Sequence, residues 1–329
     1  MKAIWYERTG AAAEVLEFGD VDAPSADEGE VLVRVATSGV NPSDTKRRDG
    51  WIGLEMPHSR IIPHSDGGGV IEAVGAGVSA DRIGERVWLW NAQNGARAFG
   101  TAAEYTAVPS ELAVALPGGV DFATAAGLGV PGCTAHYAVF GDGPVGGQTL
   151  LVQGGAGAVG HLAVQLATLG GARVIATVSS EVKGALAREA GADAVVDYTE
   201  GDAAGTVLEL TEGAGVDRIV EVDLAANLTT DIAVLRENGR IASYSSTSNP
   251  VLPVSYYPLA FKDVRIHFLQ GYLLPAADRR AAIRDLTTWL AAEQLQVRIG
   301  ARFPLAGTAA AHEAQEDGSV TGKIIVEIE

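Results

Sequence analysis

The sequence predicts an α/β protein of two domains, one rich in β-strands and the other a doubly wound parallel sheet. Three observations support this fold class. Residues 1–122 consist of short β runs between turns, whereas residues 123–265 alternate strand-like runs with helical stretches. The chain has 329 residues, of which 47% are hydrophobic, and this is enough to bury more than one core.

The N-terminal region has the pattern of an all-β unit. Its β runs are MKAIWY, EVLVRVATSGV, GGVIEAVG, RVWLW and AEYTAV. Gly, Pro and Asp residues separate these runs and supply the turns between them. We therefore expect a barrel-like unit over residues 1–122.

The central region has the pattern of repeated strand-helix units. Its strand-like runs are LLVQ, ARVIATV, AVVDY, DRIVEV and RIASYS, and its helical stretches are 158–169, 181–190, 202–211 and 228–236. Such alternation is typical of a doubly wound parallel sheet. After residue 272, a predicted helix over 275–293 leads to RFPLAG, an Ala-rich helix and a last strand, GKIIVEIE.

The charge and the cysteine content exclude several classes of protein. The net charge is −17 and the acidic residues are scattered, so we expect no nucleic-acid partner. No apolar run reaches the roughly 18 residues that a membrane helix needs, and the N-terminus lacks an apolar signal region. We therefore expect a cytoplasmic protein without a membrane partner. Cys133 is the single cysteine, which excludes an internal disulfide and a four-cysteine zinc site.

A glycine-rich segment, QGGAGAVG at 153–160, follows the first central strand and opens a helix. It fits both G-x-G-x-x-G and G-x-x-G-x-x-G, the spacing of loops that bind a dinucleotide pyrophosphate. Backbone N–H groups and the positive end of the helix would hold the pyrophosphate. The candidate cofactor-binding residues in this segment are Gly154, Gly155, Gly157, Ala158, Val159 and Gly160. The alternative, a plain turn, is disfavoured because the strand ARVIATV follows and completes a βαβ unit.

The end of the second central strand indicates which dinucleotide binds. NAD sites usually place Asp or Glu there for the ribose 2′-hydroxyl, whereas this chain has Val178, Ser179 and Ser180. An acid would repel a 2′-phosphate, while the two hydroxyls and Lys183 can bind it by hydrogen bonds and charge. NADPH is therefore the expected cofactor. Taken singly, either serine is equally typical of a helix N-cap, and Lys183 of a solvated helix face.

Several further motifs occur in one order along the chain. They are GVNPSDTKRRDG (39–50), PHSDGGGVIEAVG (63–75), IGERVW (83–88), FGTAAEYTAVP (99–109), LPGGVDFATAAGLGVPGCTAHYAV (116–139), ATVSSEVK (176–183) and GADAVVDY (191–198). With the glycine-rich segment, they make the whole chain similar to the zinc-independent quinone oxidoreductases, the zeta-crystallin-like branch of the medium-chain dehydrogenase/reductase superfamily. The resemblance implies a GroES-like β-barrel catalytic domain formed by 1–122 and 266–329. It also implies an inserted Rossmann NADPH-binding domain over 123–265, with the active site in the cleft.

The resemblance further implies a site without a metal. Zinc alcohol dehydrogenases of the superfamily have a cysteine ligand where this chain has Asn41, and a His-Glu pair where it has Ser65-Asp66. His64 and His58 invite a zinc interpretation, but without a thiolate a capping or surface histidine is the more usual role. We therefore expect direct hydride transfer to electron-poor acceptors, such as quinones or activated C=C bonds.

By resemblance, Asn41 lies beside the nicotinamide and is the main catalytic candidate, with Asp44 and Lys46 as further candidates. The Asn41 amide can hydrogen-bond the nicotinamide carboxamide or a substrate oxygen. Lys46 stands where related enzymes often have tyrosine, and a cation there would favour an enolate or quinol anion. In the alternative, structural interpretation, Asp44 pairs with a nearby cation and Arg47 is solvated.

The resemblance assigns further cofactor contacts outside the glycine-rich segment. They are Val130, Thr134, Tyr198, Tyr244, Ser245, Phe268, Leu269 and Gly271. The run at 87–100 offers Trp88, Trp90 or Phe99 as a surface for a planar ring, although core packing is the more usual role of such tryptophans.

Three functions are compatible with the sequence. The first is an NADPH-dependent quinone reductase, and the second is an NADPH-dependent reductase of enone or enoyl C=C bonds. The third is a non-catalytic NADPH-binding or structural protein, which the intact glycine-rich segment and Asn41 disfavour. The resemblance also implies a homodimer in which a strand near 264–270, VRIHFLQ, pairs with its twin.

Overall fold

The computed structural model describes residues 1–328, which form two compact units. Unit 1 comprises residues 1–130 together with the described residues from 283 onward, and unit 2 comprises residues 131–282. Glu329, the last residue of the predicted catalytic domain, lies outside the described residues. The predicted boundaries at 122/123 and 265/266 lie earlier in the chain than the boundaries between these units.

Local contacts account for both later boundaries. In unit 1, the Thr37 hydroxyl donates to the Phe122 carbonyl, and a Cβ on Gly68 would lie 2.6 Å from the Ala125 Cβ. The segment after residue 122 is therefore packed against the β-rich unit. At the second boundary, the strand Arg265–Phe268 pairs with Leu235–Ser243 in the sheet of unit 2. Pairing within that sheet keeps the segment after residue 265 in unit 2.

The described residues contain strands, α-helices and short 3-10 helices. The strands are β1 Lys2–Trp5, β2 Glu17–Asp20, β3 Glu30–Val40, β4 Asp66–Val74, β5 Arg86–Leu89, β6 Tyr105–Pro109, β7 Ala113–Ala115, β8 Thr149–Val152, β9 Arg173–Val178, β10 Ala194–Asp197, β11 Val216–Glu221, β12 Leu235–Ser243, β13 Arg265–Phe268, β14 Ile299–Pro304 and β15 Lys323–Glu327. The α-helices are α1 Ala12–Val15, α2 Pro42–Arg48, α3 Phe122–Ala125, α4 Val130–Phe140, α5 Ala158–Leu169, α6 Glu181–Glu189, α7 Ala203–Leu210, α8 Leu224–Val234, α9 Tyr256–Ala260, α10 Ala276–Ala291 and α11 Thr308–Glu316. The 3-10 helices are Trp51–Gly53, Ala80–Arg82, Ser110–Leu112 and Leu305–Gly307.

The main sheet of unit 1 has seven strands, which come from the N-terminal segment (β3 to β7) and from the C-terminal segment (β14 and β15). Its order is β14-β15-β3-β4-β5-β7, with β6 paired to β3. The C-terminal strand β15 is antiparallel to β3 with Ile324 opposite Val40, and β3 is antiparallel to β4 with Gly39 opposite Asp66. This register places Asn41, Asp66 and Lys323 at neighbouring strand ends, and these residues form the polar cluster described below.

Unit 2 is built on a six-stranded parallel sheet of order β10-β9-β8-β11-β12-β13. Every neighbouring pair in it is parallel, and α5, α6, α7 and α8 lie between successive strands in the chain. The order reverses between β8 and β11, which is the point where doubly wound sheets bind ligands, at the carboxyl ends of the strands. The predicted fold class is confirmed.

Each unit has its own hydrophobic core. Ile4, Val35 and Val326 belong to the core of unit 1, and Leu151 and Ile219 to that of unit 2. The side chains of Trp88 and Trp90 are buried, and Phe99 packs against the core of unit 1, so core packing is the role of this aromatic run. Within residues 1–328, no helix is both long and apolar enough to cross a membrane.

Candidate functional site

The glycine-rich segment forms a tight turn between β8 and α5. Gly154 has a φ of 70°, a left-handed conformation that glycine adopts without strain. The hydroxyl oxygen of Thr177 accepts from the Gly154 N–H at 3.1 Å, and the Thr177 carbonyl accepts from the Gly155 N–H at 2.9 Å. A Cβ on Gly155 would lie 2.7 Å from the Ala176 Cβ, and one on Gly160 would lie 2.1 Å from the Gly154 carbonyl oxygen. Close packing of strand, turn and helix thus requires Gly155 and Gly160.

Gly157 has a different environment from the other loop glycines. Its φ is −71°, and a Cβ there would meet only the Gly154 carbonyl oxygen, at an ordinary 3.5 Å. Gly157 is also the N-cap of α5, and no side chain caps this helix end. Nothing in the protein therefore demands glycine at this position. The open space over uncapped helix N–H groups fits the phosphate oxygens of a dinucleotide.

A network of buried polar side chains is hydrogen-bonded to this loop through Thr177. The Thr177 hydroxyl donates to the Gln153 side-chain oxygen at 2.6 Å, and Gln153 Nε2 donates to an Asp231 carboxylate oxygen at 2.9 Å. Burial and the adjacent Glu221 raise the pKa of Asp231 well above its usual range, and burial also raises the pKa of Glu221. Burial and the proximity of the two carboxyl groups therefore favour the protonated form of this pair. Asn227 Nδ2 donates to Glu221 at 3.0 Å, which completes the network.

The predicted 2′-phosphate residues lie together at the end of β9. Lys183 Nζ donates to the Ser179 hydroxyl at 2.9 Å. The Ser180 hydroxyl accepts from the Lys183 backbone N–H at 3.4 Å and caps α6. The N-cap interpretation of Ser180 is therefore correct, and it leaves the ammonium group of Lys183 beside Ser179. Val178 is buried and accepts a backbone hydrogen bond from Tyr198, whose side chain is exposed.

Other predicted cofactor residues lie at the carboxyl ends of the strands of unit 2. Tyr244 and Ser245 directly follow β12, and Phe268 is the last residue of β13. The Leu269 N–H donates to the Ser243 carbonyl at 2.9 Å, which holds the chain after β13 at the same edge. Gly271 follows two residues after Leu269 in this segment. Val130 and Thr134 lie in α4, and the side chains of both are buried. Val130 is the first residue of this helix and the last residue of the segment 1–130 of unit 1.

Burial and the nearby Glu221 raise the pKa of the Tyr244 hydroxyl. This tyrosine therefore stays protonated at neutral pH.

Asn41, Asp66 and Lys323 form a buried cluster in unit 1, which we call the Asn41 cluster. Asn41 Nδ2 donates to Asp66 Oδ2 at 2.8 Å, and Lys323 Nζ donates to Asn41 Oδ1 at 2.7 Å. Lys323 also lies 3.2 Å from Asp66 Oδ2, as an ion pair between fully buried side chains. The other Asp66 oxygen accepts from the Val130 N–H at 2.7 Å. The Asn41 amide is therefore held between a cation and a carboxylate.

Of the two further catalytic candidates, Asp44 contacts Asn41. The Asp44 carboxylate accepts from the Asn41 backbone N–H at 2.8 Å, and burial raises the pKa of Asp44 to about 6. Lys46 points elsewhere: its Nζ lies 5.6 Å from the centroid of the Trp51 ring, in a cation–π contact. Arg47 is half-buried and donates to the Gln93 side chain at 3.1 Å, so the interpretation of Arg47 as simply solvated is wrong.

His64 is buried, and both of its ring nitrogens have hydrogen-bond partners. Its Nδ1 lies 2.8 Å from the Ser38 hydroxyl, and its Nε2 lies 2.8 Å from Nε2 of His312. Burial lowers the pKa of both histidines, to about 3 for His312, so the pair is neutral at physiological pH. In the part of the chain from 1 to 328, no group of three His, Cys, Asp or Glu side chains is placed to hold a metal ion.

Two family models match separate parts of the chain. The model of the alcohol dehydrogenase GroES-like domain matches residues 27–118, within unit 1. The model of the zinc-binding dehydrogenases matches residues 158–291, which begin at α5 and include strands β9 to β13 of the parallel sheet.

Full-length relatives determine the family. A quinone oxidoreductase of Pseudomonas aeruginosa is 31% identical over 317 residues, which are 95% of this chain and 95% of the relative. This chain belongs to the quinone oxidoreductase family of the medium-chain dehydrogenase/reductase superfamily. The predicted family and the predicted enzyme class, an oxidoreductase, are confirmed.

The chain is also similar to two other proteins with NADPH in their descriptions. The mycobacterial protein Rv1454c, solved in complex with NADPH, is 33% identical, covers 99% of this chain and 100% of its own, and has a TM-score of 0.88. A chloroplastic NADPH-dependent alkenal/one oxidoreductase of Arabidopsis thaliana is 28% identical over 333 residues, 99% of this chain and 79% of the relative.

The local sequence does not predict two parts of this site, Lys323 and the pair of Glu221 and Asp231. Lys323 opens the strand KIIVE, and nothing in this local pattern shows that it is buried, because lysine is almost always exposed. The pair Glu221 and Asp231 was also missed, because nothing in the local pattern shows that two acids from β11 and α8 meet.

Proposed function

We propose that this chain transfers hydride from NADPH to quinones or similar conjugated acceptors, without a metal ion. The observation that carries the proposal is the surface of unit 2 around Gly157 and Lys183. There, the open position at Gly157 faces an uncapped helix end, and the Lys183 ammonium group lies beside Ser179. Both features fit the phosphates of NADPH. The NADPH complex of the mycobacterial relative supports the same cofactor.

The residues of this chain have distinct roles in the proposed reaction. When bound, NADPH supplies the hydride. The N–H groups at the start of α5 hold the pyrophosphate, while Ser179 and Lys183 hold the 2′-phosphate. Asn41 hydrogen-bonds the nicotinamide carboxamide or the acceptor oxygen, on which negative charge develops. Asp44, which contacts Asn41 and has a pKa of about 6, titrates close to neutral pH.

The proposal of metal-free chemistry rests on the side chains at the position of the zinc ligands in related dehydrogenases. Asn41 and Ser65 provide no thiolate or imidazole there, and Asp66 is already paired with Lys323. Without a Lewis acid, an alcohol is a poor hydride donor, whereas a quinone or an enone is electron-poor from the start. Conjugated acceptors therefore match this set of side chains.

A second candidate function is the reduction of C=C bonds in alkenals or alkenones. The similarity to the plant alkenal/one oxidoreductase favours it, because that match covers 99% of this chain. Both reactions use the same cofactor and the same direction of hydride transfer, so they differ only in the acceptor.

Oxidation of NADPH, followed at 340 nm without oxygen, tests the proposal. The acceptors are a benzoquinone, a 2-alkenal and an enoyl thioester, with NADH as the matched control donor. We expect turnover with NADPH, fastest with the quinone. Fastest turnover with the alkenal or the thioester supports the second function. Saturable NADPH binding without turnover on any acceptor contradicts both and supports a non-catalytic role.

The assembly and location predicted from the sequence belong to the same proposal. Strand β13 is an edge strand of the parallel sheet, and Tyr257, Phe261 and Phe268 near it are exposed. A homodimer formed through this edge would cover both its unpaired backbone groups and the apolar side chains. The cytoplasmic location stays a prediction.

A further inference from the structure

Lys323 is an unusual residue to find at the base of the proposed site. Its side chain is 2% exposed, and its ammonium group donates to Asn41 Oδ1 and Asp66 Oδ2. The fold makes room for it at Gly39, where a Cβ would lie 2.8 Å from Lys323 Cε and 2.1 Å from the Ala126 carbonyl oxygen. The buried ammonium group is thus built into the sheet.

Stability does not explain this ion pair. Removing two charges from water costs several kcal/mol per ion, and a buried ion pair is often no more stabilising than apolar side chains of similar size. A Met–Leu pair at positions 323 and 66 would avoid that cost. The arrangement therefore points to a role in which the charges themselves matter.

The charges fix the orientation of the Asn41 amide. A primary amide can rotate by 180° about its last bond, and this exchanges its donor and acceptor ends. Here, the Lys323 ammonium group donates to the amide oxygen, and the amide nitrogen donates to the Asp66 carboxylate. In the rotated form, the amide N–H groups would face the ammonium group and the amide oxygen would face the carboxylate, so both contacts would be repulsive. The Asn41 side chain also accepts from the Asp44 backbone N–H in the capping box at the start of α2. One N–H hydrogen of the amide therefore remains for a ligand, in a fixed direction.

We propose that Lys323 and Asp66 are positioning residues that lock the Asn41 amide in the orientation needed for hydride transfer. This inference rests on the proposed function, since it assigns Asn41 to the reacting end of the cofactor or to the acceptor. Lys323 and Asp66 act through Asn41 and touch neither NADPH nor the acceptor. Their removal therefore affects catalysis only while Asn41 is present.

A double-mutant cycle tests the proposal. The neutral variant Lys323→Met/Asp66→Asn removes both charges together, which avoids leaving one buried charge unpaired. It is compared with Asn41→Ala and with the triple variant. The control is Arg302→Met/Glu327→Gln, which removes an exposed ion pair of 2.8 Å from β14 and β15. We expect the neutral variant to lower kcat by about tenfold or more, with the NADPH Kd within about threefold of wild type.

The triple variant separates positioning from a general structural effect. If Lys323 and Asp66 act through Asn41, the triple variant should lose no more than about twofold beyond Asn41→Ala alone. Multiplicative losses, an unchanged kcat in the neutral variant, or a neutral variant that does not fold would each overturn the proposal. The control pair should retain wild-type kcat.

A measurement independent of turnover distinguishes this inference from the proposed function. With 15N-asparagine labelling, the side-chain amide signal of Asn41 is identified by its loss in Asn41→Ala. We expect slow hydrogen exchange of this amide in wild type and at least about tenfold faster exchange in the neutral variant. Equal exchange rates overturn the inference even if the enzyme is active. Wild-type protein that turns over no acceptor contradicts the function alone.

Discussion

At the scale of single residues, we expect the cofactor preference to depend on the residues at the end of β9. The ammonium group of Lys183 lies 2.9 Å from the Ser179 hydroxyl, and Ser179 takes the place of the acid of NAD sites. We expect NADPH to bind at least about tenfold more tightly than NADH, a difference of about 1.4 kcal/mol. Ser179→Asp should reverse much of this preference, because its carboxylate repels the 2′-phosphate and accepts from the 2′-hydroxyl.

Fluorescence titration of both nucleotides measures this preference. Ser319→Asp is a suitable control, since it adds the same charge at an exposed position of unit 1. Equal Kd values for NADPH and NADH in the wild type would contradict the assignment of the 2′-phosphate site.

Asp44 makes the stability of unit 1 depend on pH. Burial raises its pKa from 3.8 to about 6, so between these values the folded state binds more protons than the unfolded state. The contribution of Asp44 to the free energy of unfolding is thus fully present below about pH 4 and is lost as pH rises to about 6, by about 3 kcal/mol. Asp44→Asn should be as stable as wild type at pH 4 and more stable at pH 7.

Urea unfolding at several pH values tests this prediction. All five tryptophans lie in unit 1, so their fluorescence reports on the unit that contains Asp44. Asp22→Asn, at an exposed position, is the matched control. A constant difference between wild type and Asp44→Asn from pH 4 to pH 7 would show that the carboxyl group does not titrate in this range.

At the scale of elements, the turn between β8 and α5 contains glycines of two kinds. Gly160→Ala places a Cβ 2.1 Å from the Gly154 carbonyl oxygen, so it should destabilise the free protein by about 2 kcal/mol or more. Gly157→Ala meets no protein atom closer than 3.5 Å and should change stability by less than about 1 kcal/mol, because Ala is a poorer N-cap than Gly but also reduces the freedom of the unfolded chain. It should nevertheless weaken NADPH binding by about tenfold or more, because its methyl group occupies the phosphate position.

Calorimetry of the free protein and NADPH titration together distinguish the two glycines. Each variant is the control of the other, since both add one methyl group to the same turn. If Gly157→Ala binds NADPH like wild type, the pyrophosphate does not lie over this helix end.

At the scale of the whole molecule, we expect a homodimer formed through β13. The exposed apolar side chains of Tyr256 and Tyr257 lie in α9, which precedes this edge strand, and exposed Phe261 is the C-cap of that helix. Phe261→Glu should therefore produce monomers, while Ile83→Glu, at an exposed apolar position of unit 1, should not. Because each chain has a net charge of −17, added salt should strengthen the association.

Sedimentation at micromolar concentration measures the oligomeric state of the wild type and both variants. A wild-type protein that is only monomeric would refute the dimer. A Phe261→Glu variant that stays dimeric would show that the interface lies elsewhere.

Much of this molecule follows from local sequence patterns. The alternation of strands and helices predicts the doubly wound sheet, and the spacing of Gly155, Gly157 and Gly160 predicts the turn at its switch point. Ser179, Ser180 and Lys183 are also close in sequence, so their meeting at one strand end follows from a strand and the first turn of a helix. Such features are local because the periods of strands and helices repeat within a few residues.

Only the tertiary structure decided what surrounds Asn41. Lys323 is 282 residues away in sequence and reaches Asn41 through the register of β15 on β3. A shift of that register by one residue would turn the lysine to the other face of the sheet, and no local pattern specifies the register. The same holds for Gln153 and Asp231, which are 78 residues apart and meet beneath the glycine-rich turn. The sequence by itself determined the elements and the glycine-rich turn, whereas long-range strand pairing and burial determined which charged groups hold the Asn41 amide.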